Sequence, residues 1–394
     1  MTNFNTDLTT HSESPYFASN FLPASTVQVH ASNLLQFPNG DLLCAWFGGS
    51  QEGLSDICIY LSRMSKGSRT WTHPLQISND PDRSEQNPVL FLNPQTRDLW
   101  ILYTAQPAGN QDKAVVRYRV SKDEGQSWGD ARLLFEDEGL FIRQPMVVLG
   151  DGTWVLPAWY CRSPKGYRWV GNDDVSVIKY THDCGKTWLE KEVPESLGCV
   201  HMSVKALAGE GGFVAFFRSR WADNIYTSSS PDCLSWSPPK RTSLPNPNSG
   251  ICCDVLSSGH FILVYNDSSY QSGQAKREGL YDDITPTDDT RANQPTVDGI
   301  GKKEAIWGVP RKALTVAVSR GAGGGGGWGV KKVLQEGEGE CLTNDSKGER
   351  NKELSYPSIW VERGDGGRDV VNVAFTFWRQ RIRFCRFEVE WVES

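Results

Sequence analysis

The chain has 394 residues, a formal net charge of −6 and 11% aromatic residues, 15 of them Trp. No basic run is present, which argues against a nucleic-acid partner, and no stretch of about 18 apolar residues exists that could span a membrane. The length admits one large domain or two ordinary ones.

Residues 1–20 are polar and rich in Thr, Ser and Asn, and read as a disordered or loosely docked tail. They carry neither a basic start nor an apolar core, so a cytoplasmic protein is expected; a leader ahead of Met1 would make it secreted. Ten Cys occur without C-x-x-C pairs, and Cys44, Cys58, Cys161 and Cys385 fall inside apolar runs, as buried free thiols do. From Ser25 onward, short apolar runs alternate with turns. Residues 34–37, the turn Pro38-Asn39-Gly40-Asp41 and residues 42–47 read as a hairpin. The same unit recurs at 146–158, 204–217, 254–265 and 358–377.

Each unit is followed by a strand that leads into a second kind of turn. Its clearest form is Ser121-Lys122-Asp123-Glu124-Gly125-Gln126-Ser127-Trp128, repeated as Thr181-His182-Asp183-Cys184-Gly185-Lys186-Thr187-Trp188. An Asp that accepts bonds from the backbone after it, then a Gly free to take positive φ, then an aromatic plug, describes a tight hairpin. Worn copies stand at 230–236, 62–71 and 319–328, and the Trp-to-Trp spacings are 57, 60, 48 and 92 residues. A period of this size marks a repeat architecture. The longest gap contains residues 266–306, polar and without period, expected to be an insertion over one face. The Gly-rich run at 321–327 reads as a flexible hairpin loop.

These turns are Asp-boxes, and over most of residues 25–394 the chain resembles the sialidase-like β-propellers built from BNR repeats. The resemblance implies an all-β β-propeller of the sialidase type as a single domain over residues 21–394; a six-bladed β-propeller fits the length and the count of hairpin units, with five or seven blades as alternatives. It places the Asp-boxes on outer turns, the ligand site around the central channel, and an N-terminal strand in the last blade.

It also implies a site. Sialidases hold the sugar carboxylate with three Arg residues, because planar donors match an anionic fork. They use a Tyr nucleophile assisted by a Glu, with an Asp as acid/base. The place of the first Arg reads Val29-His30-Ala31-Ser32 here, so His30 stands in and a true sialidase is not expected. Arg218 and Arg220, on one side of a strand end, match the second Arg, and Arg311 matches the third. Phe141-Ile142-Arg143-Gln144-Pro145 resembles the missing Arg phrase one blade or more too late, and Arg143 is a candidate either for the channel or for a surface blade entry. Tyr356 matches the nucleophile. The place of its partner Glu reads Val200-His201-Met202-Ser203, leaving His201 as a candidate base. Glu52 and Asp56 lie on the loop where the family keeps its acid/base. Asn246 and Asn248, in a turn stiffened by Pro245 and Pro247, and Trp378, Arg379 and Arg381, ending the last inner hairpin, complete the candidate binding set. No metal site or cofactor motif is found, and the expected partner is a small-molecule or carbohydrate substrate.

The resulting expectation is a glycoside hydrolase-like enzyme acting on an acidic or polar sugar. The alternative is a non-hydrolytic biosynthetic enzyme on the same fold, for example a hetero-Diels–Alderase of secondary metabolism. A binding propeller without chemistry is the third reading.

Overall fold

The computed structural model describes residues 4–394 apart from 208, 210, 285–292, 299–302, 322–326, 347 and 365–367. The chain opens with β1 (Thr9–His11) and β2 (Ser14–Phe21). The first blade follows as β3 (Gln28–Gln36), β4 (Leu42–Gly49), β5 (Cys58–Met64) and β6 (Leu75–Gln76). The second is β7 (Ser84–Leu92), β8 (Leu99–Gln106), β9 (Val115–Ser121) and β10 (Arg132–Phe135), with a single 3-10 turn at Gln111–Lys113. In the third, a broken inner strand, β11 (Leu140–Ile142) then β12 (Val147–Val148), pairs β13 (Trp154–Tyr160), which leads to β14 (Val175–Thr181) and β15 (Leu189–Glu192). The fourth is β16 (Cys199–Ala206), β17 (Phe213–Ser219), β18 (Asn224–Ser230) and β19 (Lys240–Pro245). The fifth is β20 (Cys252–Val255), β21 (Phe261–Asn266), β22 (Leu314–Ser319) and β23 (Trp328–Gln335).

The sixth blade closes the ring. Its strands β24 (Leu354–Glu362), β25 (Val370–Phe377) and β26 (Arg381–Glu388) are joined by β2 from the other end of the chain, in the register Phe17↔Phe387 to Phe21↔Arg383. The tail expected over residues 1–20 is therefore paired strand from Thr9 onward. Pairing covers an edge that β26 would otherwise expose, and Phe17 packs on Phe387 and Trp391 at ring separations of 6.1 and 4.6 Å. A polar composition hid this strand, because only a few of its residues face inward.

Burial falls from channel to rim. Strands β3 and β4 are buried almost throughout, whereas β15 is exposed at every position. The apolar layers lie between blades: Val214 and Phe216 of the fourth, for example, share a buried cluster with Leu263, Tyr265 and Ala317 of the fifth.

The inner strands carry a repeated irregularity. Register slips at His30/Asn33, Gln86/Val89, Val200/Ser203 and Ser355/Ser358 each enclose a non-glycine residue with positive φ: Ala31 (59°), Asn87 (51°), His201 (56°) and Tyr356 (52°). These are β-bulges, which re-aim side chains at a cost in backbone strain. Two residues further on in three of them, a small polar side chain accepts an N–H from the next blade. Leu90 donates to Asn33 (3.0 Å), Cys253 to Ser203 (3.2 Å) and Leu34 to Ser358 (2.9 Å). The bulges are thus held from both sides.

The Asp-boxes sit on the turns between the third and fourth strands of their blades. Asp123 accepts from Ser127 Oγ (2.5 Å), Ser127 N (2.8 Å) and Ser121 Oγ (2.7 Å), and these bonds hold its carboxyl down at about 2. Asp183 and Asp232 repeat the arrangement. All ten Cys are free, and all except the half-buried Cys184 are buried.

The described residues of the segment after β21 pack against the ends of the second, third and fourth blades. Tyr281 OH accepts from Gln106 Nε2 (2.9 Å) and Gln111 Nε2 (2.8 Å), Asn172 Nδ2 donates to the Val297 carbonyl (3.0 Å), and Ile306 N to the Arg220 carbonyl (2.8 Å). Residues 322–326 of the Gly-rich run lie outside the described residues.

Candidate functional site

Tyr356 stands at the centre of the site. Its bulge turns the ring inward, and Gly250 makes room for it, since a Cβ there would meet Tyr356 Cγ at 3.2 Å. The ring centroid lies 4.1 Å from that of His30 and 5.4 Å from that of His201. The guanidinium carbons of Arg143, Arg218 and Arg311 stand 5.7, 5.4 and 5.7 Å from the same centroid. Arg218 Nη1 donates to the Tyr356 hydroxyl in a short bond, and its Nε donates to Asn248 Oδ1 (2.7 Å).

The acids of the site are held by arginines. Glu353 accepts short bonds from Arg311 and Arg379, and Glu52 accepts from Arg379 Nη1 at 2.5 Å. His30 Nδ1 is 3.8 Å from Glu353 Oε1, and Arg379 Nη2 is 3.5 Å from His30 Nε2. Arg220 forms a separate pair with Asp174, Nε and Nη2 reaching Oδ2 at 2.8 and 2.7 Å. The Trp307 ring lies against both Arg218 and Arg220, at 5.7 and 5.0 Å. That ring supplies the cover that two neighbouring cations on one strand end require.

All of these groups are buried, Arg218 being 1% exposed and Tyr356 7%. Burial, reinforced by the surrounding arginines, holds His30 and His201 well below the usual histidine range, so both are neutral at pH 7. Burial pushes Arg218 down to about 9. Burial would raise the Glu353 carboxyl, but Arg311 and Arg379 outweigh it and hold the group low and ionised. In Asp174 burial wins over Arg220 and the shift is upward.

The fold brings His30, Glu52, Arg143, His201, Arg218, Asn248, Arg311, Tyr356 and Arg379 into one cluster, with Arg220 beside it. Arg143 is buried, and its Nη2 donates to the carbonyls of Ser32 (2.8 Å), Tyr356 (3.3 Å) and Pro357 (3.2 Å), tying the third blade to the first and sixth. Asn246 braces its own loop, accepting from Ser219 N (3.2 Å) and donating to the Ser249 carbonyl (2.9 Å).

Three candidates fall elsewhere. Asp56 is exposed and accepts from Ser50 N (2.8 Å) and Ser50 Oγ (2.9 Å), closing its own loop. Trp378 packs on Phe377 under the Lys352 ammonium, 4.0 Å from its ring. Arg381 covers Phe4, its guanidinium carbon 4.7 Å from that ring.

Sequence reasoning missed Glu353, Asp174, Trp307 and Tyr281. Glu353 lies three residues before Tyr356, the nearest signal for it in the sequence; the other three carry no local signal. Among the described residues no group of three or more His, Cys, Asp or Glu side chains is placed to hold a metal ion.

A family model described as a BNR repeat-like domain matches residues 40–369. Among solved structures, the chain is similar to the Hadza microbial sialidase Hz136, with 13% identity, a TM-score of 0.66, and coverage of 93% of this chain and 67% of that one. It is also similar to the intramolecular trans-sialidase from Ruminococcus gnavus, at 11% identity, TM-score 0.62, covering 95% and 98%. A protein of unknown function from Dyadobacter fermentans is similar at 15% identity and TM-score 0.63, covering 95% and 100%. No curated protein sequence matches the chain. At these identities the likeness shows the six-bladed sialidase-type fold, and the site must be read from its own residues.

Proposed function

We infer that this chain, which belongs to the BNR repeat-like domain family, is an enzyme that binds an anionic substrate at the channel centre, an acidic sugar other than a simple sialoside. The observation that carries this reading is Tyr356 ringed by Arg143, Arg218 and Arg311, with Arg218 donating to its hydroxyl oxygen. A guanidinium bonded there stabilises negative charge developing on the oxygen, as a tyrosine nucleophile needs. In the hydrolytic course the Tyr356 oxygen bonds to the anomeric carbon while the bond to the leaving group breaks, the Tyr356 hydroxyl proton passing in net to the departing oxygen. Water then cleaves the glycosyl–tyrosine bond, its hydroxyl joining the anomeric carbon and its other hydrogen returning to the Tyr356 oxygen. Glu52, on the loop after the first hairpin, is the carboxyl that would exchange a proton with the leaving group once released from Arg379.

The non-hydrolytic reading has an observation of its own. Both inner carboxylates are engaged by arginines, neither bonds the Tyr356 hydroxyl, and Asp56 faces solvent. A site of fixed cations and neutral imidazoles suits polarisation of a bound carbonyl without a nucleophile.

Turnover of chromogenic glycosides separates the two. The hydrolytic reading expects cleavage of an acidic glycoside such as a 4-nitrophenyl glucuronide, weak or no cleavage of a sialoside, and a loss of about 100-fold or more in Tyr356→Phe. Silence across acidic glycosides would remove the hydrolytic reading.

A further inference from the structure

The inner site holds more positive charge than its acids balance. Five guanidiniums, those of Arg143, Arg218, Arg220, Arg311 and Arg379, meet three carboxylates, those of Glu52, Asp174 and Glu353, and all eight groups are buried. The ion pairs assign the surplus. Arg220 has Asp174, Arg311 has Glu353, and Arg379 has Glu52 and Glu353. Among the described residues, Arg143 and Arg218 pair with no carboxylate. Arg143 spends one nitrogen on neutral carbonyls, and Arg218 bonds an amide oxygen and the Tyr356 hydroxyl.

Both surplus cations stand against the same Tyr356 ring, their guanidinium carbons 5.7 and 5.4 Å from its centroid. Each also has a buried donor without a partner, Arg143 Nε and Arg218 Nη2. The two histidines nearby are held neutral and supply no counter-charge, but each adds an unpartnered ring nitrogen, His30 Nδ1 and His201 Nδ1. Burying a guanidinium without an anion is costly, and burying two beside one ring is more so.

We propose that the ligand of this site carries two negative charges within reach of Arg143 and Arg218, as a dicarboxylate or a phosphate monoester does. A monoanion leaves one buried cation without a counter-charge, and a neutral sugar leaves both. Arg218 is the reader, because its free Nη2 and its bonded Nη1 form a fork. Arg143 contributes field from a position fixed by three carbonyls. The inference rests on the channel centre being the ligand site, as in the functional reading above, but not on glycoside cleavage.

Isothermal titration calorimetry of the whole chain at low salt tests this with four probes of similar size: glucose, glucuronate, glucarate and glucose 6-phosphate. At least one dianion should bind ten times or more tightly than glucuronate, and glucose should give no heat. Glucarate alone in that role identifies a dicarboxylate, glucose 6-phosphate alone a phosphate monoester. Arg218→Gln should bring the dianion to the affinity of glucuronate, and Arg218→Lys, which keeps the charge but loses the fork, should retain part of the preference. Equal binding of monoanion and dianion, or no dianion binding at about 10 mM, would overturn the proposal. Dianion binding without turnover of any glycoside would leave the proposal standing and remove the hydrolytic reading. Cleavage of glucuronides without dianion preference would do the reverse.

Discussion

Replacing Glu353 with Gln tests the charge arrangement directly. The substitution keeps the shape of the side chain and removes one of the carboxylates at the channel. Glu353 is 1% exposed and accepts from both Arg311 and Arg379. Arg379 keeps Glu52 in the variant, but among the described residues Arg311 has no other carboxylate, and it joins Arg143 and Arg218 as an unbalanced buried cation. Breaking a buried pair by removing one partner costs about 3–5 kcal/mol, since the remaining charge stays desolvated. At about 2 °C per kcal/mol for a chain of this size, the melting temperature should fall by about 6–10 °C. The control is Glu362→Gln, which removes the partner of Arg386 at 2.9 Å in a pair with side chains 35% and 22% exposed. Water screens that pair, and its loss should cost about 1 kcal/mol or less. Urea unfolding followed by tryptophan fluorescence compares the two variants. A cost for Glu353→Gln within about 1 kcal/mol of the control would refute the view that the channel arginines depend on this carboxylate.

The buried histidines predict acid sensitivity. Their folded values lie below the ordinary value of 6.5, so the unfolded chain binds more protons as pH falls through that value, and stability is full above it and lost below it. Each should contribute a loss of up to about 2 kcal/mol between pH 6.5 and 5, and His201→Gln should flatten the profile of melting temperature against pH. Removing residues 1–21 takes β2 from β26 and should lower the melting temperature and speed amide exchange in Arg381–Glu388, while residues 199–206 in the fourth blade change little at first.

The repeat was legible because each blade must bury its strands by the same device. Apolar runs punctuated by turns, and the Asp-boxes with their self-bonded acids, recur in the sequence as they do in space. His30, Arg218, Arg311 and Tyr356 are candidates because the sialidase resemblance assigns a role to those places in the repeat. Glu353 carries no motif of its own, although it lies three residues before Tyr356. Asp174 and Trp307 were beyond reach for a different reason. Their roles come from contacts with Arg220 across 46 residues and through a segment with no period, so no local pattern points to them. Asp56 misled because a carboxylate on a glycine-rich loop reads as available, whereas Ser50 occupies both of its oxygens.

The bulges on the inner strands have a consequence for how such a channel can change. Ala31, Asn87, His201 and Tyr356 each hold a left-handed backbone that an L residue adopts only under restraint. The restraint comes from the neighbouring blades, through the pairing of Leu34 with Ser358, Leu90 with Asn33 and Cys253 with Ser203, and not from the side chain at the bulge. The scaffold therefore fixes where a group points before it fixes which group it is. Each of these four blades offers a socket whose occupant can be exchanged alone, and the chemistry of the channel can be rewritten one position at a time without refolding the ring.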